Sequence, residues 1–346
     1  MAGETLNRCH IYFIVILLVN MTLILFLSNF CGSYSYLSSI SSSFWNLANL
    51  QKNDKLLVIF TSFKNDPNKS EIHQEVINNW LSLGNDIQPV FFYNQTNPMM
   101  WDSMALKKGW IGIPIGKTNK YETPMLKDFY AAITERMKSK FYGFCNGDIL
   151  FDNGTRNTLK QILKHTTILN NTALVIGRRT NIEYQDYHTL KVLHPNYTKS
   201  LSQIANSKGV LFTERAEDYF FVYLPQNFPW DDIKDVVIGR PGYDNYLVSE
   251  AIKMNVSVID TTNTILAAHL TGIDGNNAGF LNIDKEYNIE LIGKTYDYDS
   301  GVTSRAQFYT ARDEKGRITV KKSLMKSPSI EIPVESKNIY VLLGRF

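Results

Sequence analysis

Residues 141–151 read FYGFCNGDILF, and this stretch constrains the fold more than any other. Its first five residues are apolar or aromatic and predict a buried strand, which ends at the polar triplet Asn146-Gly147-Asp148. A carboxylate between two apolar stretches is costly to bury unless a cation or hydrogen-bond donors compensate it. At the carboxyl end of a strand in an α/β sheet, a divalent metal carrying a phosphate would do so. We therefore predict that Asp148 is a metal ligand; the alternative is an ordinary turn Asp.

The segments before this stretch alternate between strand and helix patterns. Apolar runs at 55–63, 87–93 and 109–115 predict strands, and the amphipathic segment 70–83 predicts a helix between the first two. Strand, helix and strand in this order make a βαβ unit with a parallel sheet. The first run is continuously apolar, as expected for a strand buried on both faces.

A helix is predicted immediately before the central strand. Thr123 is a good N-cap, Pro124 suits the first helical position, and apolar residues then recur at helical spacing. Lys127 falls in the first turn, where a cation does not favour the helix dipole. This conflict makes Lys127 a candidate ribose or phosphate contact, although a solvated surface lysine is the default interpretation.

The rest of the chain contains further elements and two polar segments. The predictions, in chain order, are a helix at 154–169, a strand at 173–177, a polar loop at 184–209, a strand at 218–225, a Gly/Pro loop at 238–242, a helix at 244–254, strands within 256–270, a loop at 271–279 and a terminal strand at 338–344.

Composition limits the function classes. The chain has 346 residues, 44% of them hydrophobic, which is enough for one large domain or two small ones. Its net charge of +3 includes no long basic run, so the sequence does not indicate nucleic-acid binding. The many Tyr and Phe residues favour a packed core over disorder.

The amino terminus predicts a membrane anchor. Residues 11–27 are almost unbroken apolar residues, about the length that spans a bilayer. Arg8 precedes the run and no basic residue follows it before Lys52, so the amino terminus is predicted to be cytoplasmic. A cleavable signal peptide is the alternative, but the run is long and residues 28–32 make a poor cleavage site. Either way, the bulk of the chain is expected in the secretory lumen.

These patterns divide the chain into five predicted regions. They are a cytoplasmic tail at 1–10, a transmembrane signal anchor at 11–31, a Ser-rich stem at 32–54, a catalytic domain at 55–300 and a carboxyl-terminal extension at 301–346 that packs on or trails the domain. Sequons agree with a lumenal location, and they begin at Asn68, Asn94, Asn153, Asn170, Asn196 and Asn255.

Cysteine usage excludes a disulfide framework in the main domain. The three cysteines are Cys9 in the predicted tail, Cys31 at the membrane exit and Cys145 in the central strand. Cys31 would be available to join two copies of the chain as a homodimer. Cys145 is expected to be a small buried apolar side chain.

Three polar residues follow one another at intervals that suggest a site. Asp148 ends a strand, Asp244 opens a helix after a Gly/Pro loop, and His269 lies at the end of an apolar run. Each has an ordinary explanation, namely a turn, a helix cap and a core histidine. Their order, together with the anchor and stem, resembles Golgi-type, type II membrane glycosyltransferases of the GT-A fold. The resemblance covers about residues 55–279.

The resemblance implies a fold and a set of site residues. The fold would be a Rossmann-type mixed α/β sheet flanked by helices, preceded by one transmembrane helix and a short stem. Residues 141–148 look like the strand that bears the family's DxD motif, with Asn146 in place of the first Asp. Residues 239–242 look like its acceptor-side glycine loop, Tyr243-Asp244 like its xED carboxylate, and His269 like its metal-binding histidine. The implied donor-binding residues are Thr61, Lys127, Asn146, Asp148, Arg178 and Arg240.

The implied activity is transfer of a hexose or N-acetylhexosamine from a nucleotide sugar to a glycan, protein or lipid acceptor at the Golgi or ER membrane. A metal held by Asp148 and His269 would neutralise the departing diphosphate. The His ligand favours Mn²⁺ over Mg²⁺, which prefers oxygen ligands. Asp244 would be the base that activates the acceptor hydroxyl, with inversion at the anomeric carbon.

Two alternatives stay open at this stage. A retaining transferase on the same fold would use Asp244 to bind the acceptor, with Glu217 or Asp218 facing the donor. A catalytically inert lumenal sugar-binding or scaffold protein is permitted by Asn146, which stands where the family's motif has its first Asp.

Overall fold

The structure is a computed structural model that describes residues 54–97, 99–165, 172–193, 197–272, 275 and 278–324. The predicted tail, anchor and stem, and the predicted strand at 338–344, lie outside the described residues. Within the described residues, no helix is both long enough and apolar enough to cross a bilayer.

The strands are β1 (Lys55–Thr61), β2 (Ile87–Tyr93), β3 (Ile111–Pro114), β4 (Ser139–Cys145), β5 (Ile149–Phe151), β6 (Ala173–Ile176), β7 (Arg179–Glu183), β8 (Val210–Leu211), β9 (Tyr219–Tyr223), β10 (Ser257–Asp260), β11 (Ala267–Thr271), β12 (Phe308–Arg312) and β13 (Ile318–Lys322). The α-helices are α1 (Ser70–Ser82), α2 (Met100–Lys107), α3 (Leu126–Arg136), α4 (Gly154–Ile162), α5 (Tyr184–Leu193), α6 (Tyr197–Lys208), α7 (Tyr243–Lys253) and α8 (Tyr287–Ile292). Short 3₁₀ turns occupy Pro67–Lys69, Pro225–Asn227, Ala278–Leu281, Tyr298–Gly301 and Thr303–Arg305.

The fold is a mixed α/β sheet with helices, as the sequence predicts. The main sheet has the strand order β13-β12-β10-β6-β9-β4-β1-β2-β3. The β4-β1-β2-β3 side is parallel, and so are the β6-β10-β12 pairings. Strand β9 runs antiparallel between β4 and β6 and joins the two parallel groups. The carboxyl ends of β1 and β4 therefore meet at one edge of the sheet.

The central strands form because their residues are apolar on both faces. Every residue from Leu56 to Thr61 in β1 is buried, and so is every residue from Phe141 to Cys145 in β4. Gly143 lies opposite Phe221 of β9. A Cβ atom at Gly143 would come within 2.1 Å of the Phe221 ring, so only glycine leaves room for it.

A second, four-stranded sheet with the order β5-β11-β7-β8 stands at the carboxyl ends of the main strands. Helix α1 fixes β5 in place. Asn79 donates to the carbonyl of Phe151 at 2.9 Å and accepts from its N–H at 2.8 Å, while the Trp80 indole donates to the Ile149 carbonyl at 2.9 Å. All these groups are buried, so β5 and the turn before it are held rigidly.

Three predictions about elements differ from the structure. The helix predicted from Thr123 begins at Leu126, because residues 124–126 run extended: Met125 pairs with Val237, and Leu126 donates to the Val236 carbonyl. The segment 184–209, predicted as a loop, contains α5 and α6. The helix predicted at 154–169 ends at Ile162.

The last described strands belong to the main sheet. Strand β12 pairs parallel with β10, and β13 returns antiparallel to β12 at the sheet edge. The Thr310 hydroxyl shares a 2.5 Å hydrogen bond with the Thr264 hydroxyl, which ties β12 to the loop between β10 and β11.

Candidate functional site

The pairing of two short strands brings Asp148 and His269 together. Asp148 occupies the turn between β4 and β5, and its carbonyl accepts a hydrogen bond from the Leu270 N–H at 3.0 Å. Strand β5 then pairs antiparallel with β11, which places Ile149 opposite His269. Residues far apart in the chain are thus neighbours because of sheet register.

The Asp148 carboxylate has two cationic or ionisable neighbours on the same oxygen. Its Oδ2 lies 3.5 Å from His269 Nε2 and 3.2 Å from Lys69 Nζ. The other imidazole nitrogen of His269, Nδ1, lies 3.3 Å from the Thr271 hydroxyl. The three side chains keep only 16% (Asp148), 6% (His269) and 11% (Lys69) of their surface exposed, so they form a nearly buried cluster.

Positive charge keeps this carboxylate ionised. Burial by itself would raise the pKa of Asp148, but the opposing effect of His269, and after it Lys69 and Arg179, outweighs burial. The net result is a pKa for Asp148 well below its ordinary value. The Asp148 carboxylate is therefore ionised, which is the form that binds a cation.

The other carboxylate oxygen of Asp148 fits a metal ligand. Its Oδ1 is buried and has no hydrogen-bond partner among the described residues, which is costly unless something binds there. A carboxylate suits Mg²⁺ and Mn²⁺ and an imidazole suits ions such as Zn²⁺, so the two side chains together fit a divalent cation without selecting one. The described part of the chain holds no group of three His, Cys, Asp or Glu residues arranged for a metal. Asp148 and His269 supply two ligands, and a divalent cation held by them would need its remaining ligands from other groups.

Thr61 and Gly147 connect this cluster to the end of β1. The Thr61 hydroxyl is buried and, like Asp148 Oδ1, has no partner among the described residues. A Cβ atom at Gly147 would lie 3.4 Å from that hydroxyl and 3.0 Å from the Phe63 ring. The absence of a side chain at Gly147 therefore lets the turn lie against β1.

A second polar chain begins at Arg179 and reaches α7. The Arg179 Nη1 donates to both carboxylate oxygens of Asp218 at 2.9 Å, and both side chains are buried. Asp218 in turn accepts from the Asn146 amide at 2.6 Å, and Asn146 accepts from the Tyr243 hydroxyl at 3.2 Å. Asn146 thus links the Asp148 turn to Tyr243, the residue next to Asp244.

Two carboxyl groups next to this chain bind protons more tightly than usual. Burial raises the pKa of Asp244 to about 7, with a further contribution from Asp218. Burial, followed by Asp244 and Asp218, raises the pKa of Glu217 well above its ordinary value. Asn245 contacts both, because its N–H donates to Asp244 at 3.0 Å and its amide donates to Glu217 Oε2 at 3.1 Å.

The other predicted donor contacts are engaged elsewhere. Lys127 pairs with Asp235 at 2.8 Å and donates to a loop carbonyl. The Arg178 guanidinium donates to the Phe212 carbonyl. Arg240 pairs with the buried Asp284, which also accepts from Thr123 at 2.6 Å and from the Asn119 amide at 3.0 Å. The structure therefore does not bring Lys127, Arg178 or Arg240 into the Asp148 cluster.

Sequence reasoning missed Lys69 as a member of the site. It follows the polar loop after β1, and nothing in the local pattern distinguishes it from a surface lysine. Glu217 was considered in the sequence only for a retaining mechanism, and both it and Arg179 are buried near the site. Lysine and glutamate are ordinarily exposed, so a buried one can be recognised only from the tertiary structure.

Comparisons with known proteins add distant structural likenesses. No protein-family model matches the chain, and no curated protein matches it. Among solved structures, the mannosyltransferase PcManGT from Pyrobaculum calidifontis, in complex with GDP-Man and Mn²⁺, aligns with a TM-score of 0.37 and 10% identity over 71% of this chain and 68% of its own.

Two further solved structures align in the same way. A putative nucleotide-diphospho-sugar transferase from Desulfovibrio desulfuricans aligns with a TM-score of 0.32 and 7% identity over 69% of this chain and 91% of its own. The inositol-1-phosphate CTP transferase from T. maritima aligns with a TM-score of 0.34 and 15% identity over 71% of this chain and 99% of its own. Likenesses this distant do not assign an activity to the chain.

Proposed function

We propose that this chain is a glycosyltransferase that moves a sugar from a nucleotide-sugar donor to a glycan, protein or lipid acceptor, with Mn²⁺ or Mg²⁺ bound at Asp148 and His269. The observation that carries the proposal is the 3.5 Å approach of His269, in the middle of β11, to Asp148 in the turn after β4, with the other Asp148 oxygen buried and unpartnered among the described residues. A buried oxygen without a partner, in a carboxylate whose pKa is strongly shifted, marks a candidate functional site.

On the donor side, the residues would assemble positive charge around the leaving diphosphate. The bound cation would act as a Lewis acid on that diphosphate. Asp148 and His269 would hold it, and Thr271, 3.3 Å from Nδ1, would orient the imidazole. Lys69 and Arg179 add fixed positive charge in a nearly buried setting, where electrostatic stabilisation is strong.

On the acceptor side, Asp244 would take the proton of the attacking hydroxyl. A general base works best when its pKa lies near the working pH, and burial raises the pKa of Asp244 to about 7. The hydrogen bond from Tyr243 to Asn146 holds the start of α7 against the Asp148 turn. We propose single displacement with inversion, with Asp244 next in sequence to the residue that contacts this turn.

The test is hydrolysis and transfer with the full chain in detergent. A panel of UDP- and GDP-sugars is incubated with Mn²⁺, and release of the nucleoside diphosphate is measured. We expect at least one donor to be turned over and Asp148→Asn to reduce the rate by at least ~100-fold. Asp235→Asn, an exposed carboxylate paired with Lys127, is the matched control and should retain the wild-type rate. Equal rates in Asp148→Asn and the wild type would refute the assignment.

A retaining transferase is the second candidate, and one observation favours it. Glu217 Oε1 is buried with no hydrogen-bond partner among the described residues, so it is available for a ligand. Asp218, the other residue considered for this role, is bound by Arg179 and Asn146. NMR determination of the anomeric configuration of the product separates the two mechanisms, because only inversion is consistent with Asp244 as the base.

We also propose that the catalytic part lies on the lumenal side of the Golgi or ER membrane. This proposal rests on the apolar run at 11–27, the stem and the sequons, and residues 1–53 lie outside the described part of the chain. Glycosidase digestion of the chain expressed in microsomes tests it. We expect the chain to migrate faster on a gel after digestion, because its glycans are removed. If its mobility does not change and protease added to intact vesicles degrades the domain, the domain lies on the cytoplasmic side.

A further inference from the structure

Lys69 already faces the carboxylate that the proposed metal needs. Its ammonium lies 3.2 Å from Asp148 Oδ2, on the same oxygen that faces His269. Lys69 ends the 3₁₀ turn Pro67–Lys69 and directly precedes α1, and its N–H donates to the Asp66 carbonyl at 3.0 Å. This hydrogen bond holds the backbone of Lys69 in place, and the residue is only 8% exposed. Lys69 is therefore not an ordinary surface lysine.

An ammonium and a divalent ion repel each other strongly at such a site. Coulomb repulsion grows with the product of the two charges, so the ammonium repels a divalent ion twice as strongly as a monovalent ion at the same distance. The other groups around Asp148 do not offset the repulsion. Arg179 is already paired with Asp218, and His73, one turn into α1, is neutral at pH 7 because burial lowers its pKa to about 4.

We propose that Lys69 is an internal counter-cation that competes with the divalent metal for Asp148, so that the metal and the nucleoside diphosphate bind together rather than in sequence. This inference rests on the proposed function. A diphosphate brings negative charge that both Lys69 and the metal can share, which removes the repulsion between them. Without the diphosphate, Lys69 satisfies Asp148 and the affinity for the metal is low.

The coupling must be reciprocal. If the diphosphate raises the affinity for Mn²⁺ by some factor, Mn²⁺ raises the affinity for the diphosphate by the same factor. Without competition from Lys69, binding of the metal and binding of the diphosphate would be coupled only by direct ligation of the metal by the diphosphate. Removing the charge at position 69 should therefore strengthen binding of the metal alone.

The experiment measures Mn²⁺ binding by electron paramagnetic resonance on the full chain in detergent. We expect UDP or GDP to strengthen binding of Mn²⁺, added as MnCl₂, to the wild type by at least ~10-fold. The variant Lys69→Met keeps the aliphatic stem without the charge, and in the absence of a nucleotide it should bind Mn²⁺ at least ~10-fold more tightly than the wild type. Lys69→Arg keeps the charge, so its binding of Mn²⁺ alone should stay as weak as that of the wild type. Lys160→Met, on the surface of α4, is the matched control and should behave as the wild type.

The outcomes separate an error in the role of Lys69 from an error in the metal site itself. If Lys69→Met folds, as judged by circular dichroism, and binds Mn²⁺ no more tightly than the wild type, the role of Lys69 is wrong while the metal site stands. If neither protein binds Mn²⁺ even with UDP or GDP, the metal site itself is wrong, and with it the metal-dependent mechanism. If Lys69→Met does not fold, the wild type still decides: equal Mn²⁺ affinity with and without the diphosphate overturns the competition.

Discussion

Asp244 owes its raised pKa of about 7 first to burial and then to Asp218, so a single side chain sets the pH range of the proposed reaction. The base must be deprotonated to accept a proton. We therefore expect kcat/KM to fall about tenfold per pH unit below pH ~7 and to level off above it. Initial rates from pH 5 to 9 with saturating metal measure this.

The variant Asp244→Asn should lose ~10²- to 10⁴-fold in kcat, the range typical of a missing general base. Its remaining activity should no longer show the acidic limb near pH 7. Asp232→Asn, an exposed carboxylate in the loop before α7, serves as the comparison. An acidic limb that persists unchanged in Asp244→Asn would assign the titration to another group, with Glu217 as the first candidate.

Residue types alone identified part of this site. Asp148 stood out because a carboxylate after an apolar strand needs compensation, and Cys145 was expected to be buried, which the structure confirms. Lys69 could not be found in this way, because a lysine in a polar loop is ordinarily solvated. Only the fold of the 3₁₀ turn before α1 shows that its ammonium points into the protein at Asp148.

At the scale of elements, the pairing of β4 with β9 depends on one missing side chain. Gly143→Ala would place a methyl group 2.1 Å from the Phe221 ring, and overpacking of this kind costs about 1–3 kcal/mol. We expect a decrease of that size in the free energy of unfolding, measured by urea denaturation of the full chain. In a Phe221→Ala background, the same substitution should cost much less. Equal costs in both backgrounds would show that the ring is not the cause.

The errors at this scale have a physical cause in tertiary contacts. Thr123-Pro124 is a good helix start, but Met125 pairs with Val237, and Asp284 binds the Thr123 hydroxyl, so the helix begins two residues after Pro124. The segment 184–209 contains two helices, of which α6 buries Leu201, Ile204 and Ala205. That spacing is helical and was present in the sequence, although the polar surroundings obscured it.

At the scale of the molecule, the carboxyl-terminal strands complete the main sheet. Strand β12 pairs with β10, so a chain that ends at residue 300 exposes the β10 edge and loses the Thr264–Thr310 contact. Compared with a chain that ends at Leu324, which keeps both strands, we expect it to have a melting temperature lower by more than ~5 °C or no cooperative transition. Thermal unfolding followed by circular dichroism tests this. Equal melting temperatures would show that β12 and β13 are dispensable for the domain.

The sequence by itself predicted the strands around residues 55–61, 87–93 and 141–145, because continuous apolar runs of strand length, rich in Val, Ile and Phe, are typical of strands in a buried parallel sheet. It also determined that Asp148 needs a compensating partner. The tertiary structure alone decided which partners it has. The register of β5 against β11 brings His269 to Asp148, and the turn before α1 brings Lys69, because these contacts join segments that no local pattern relates.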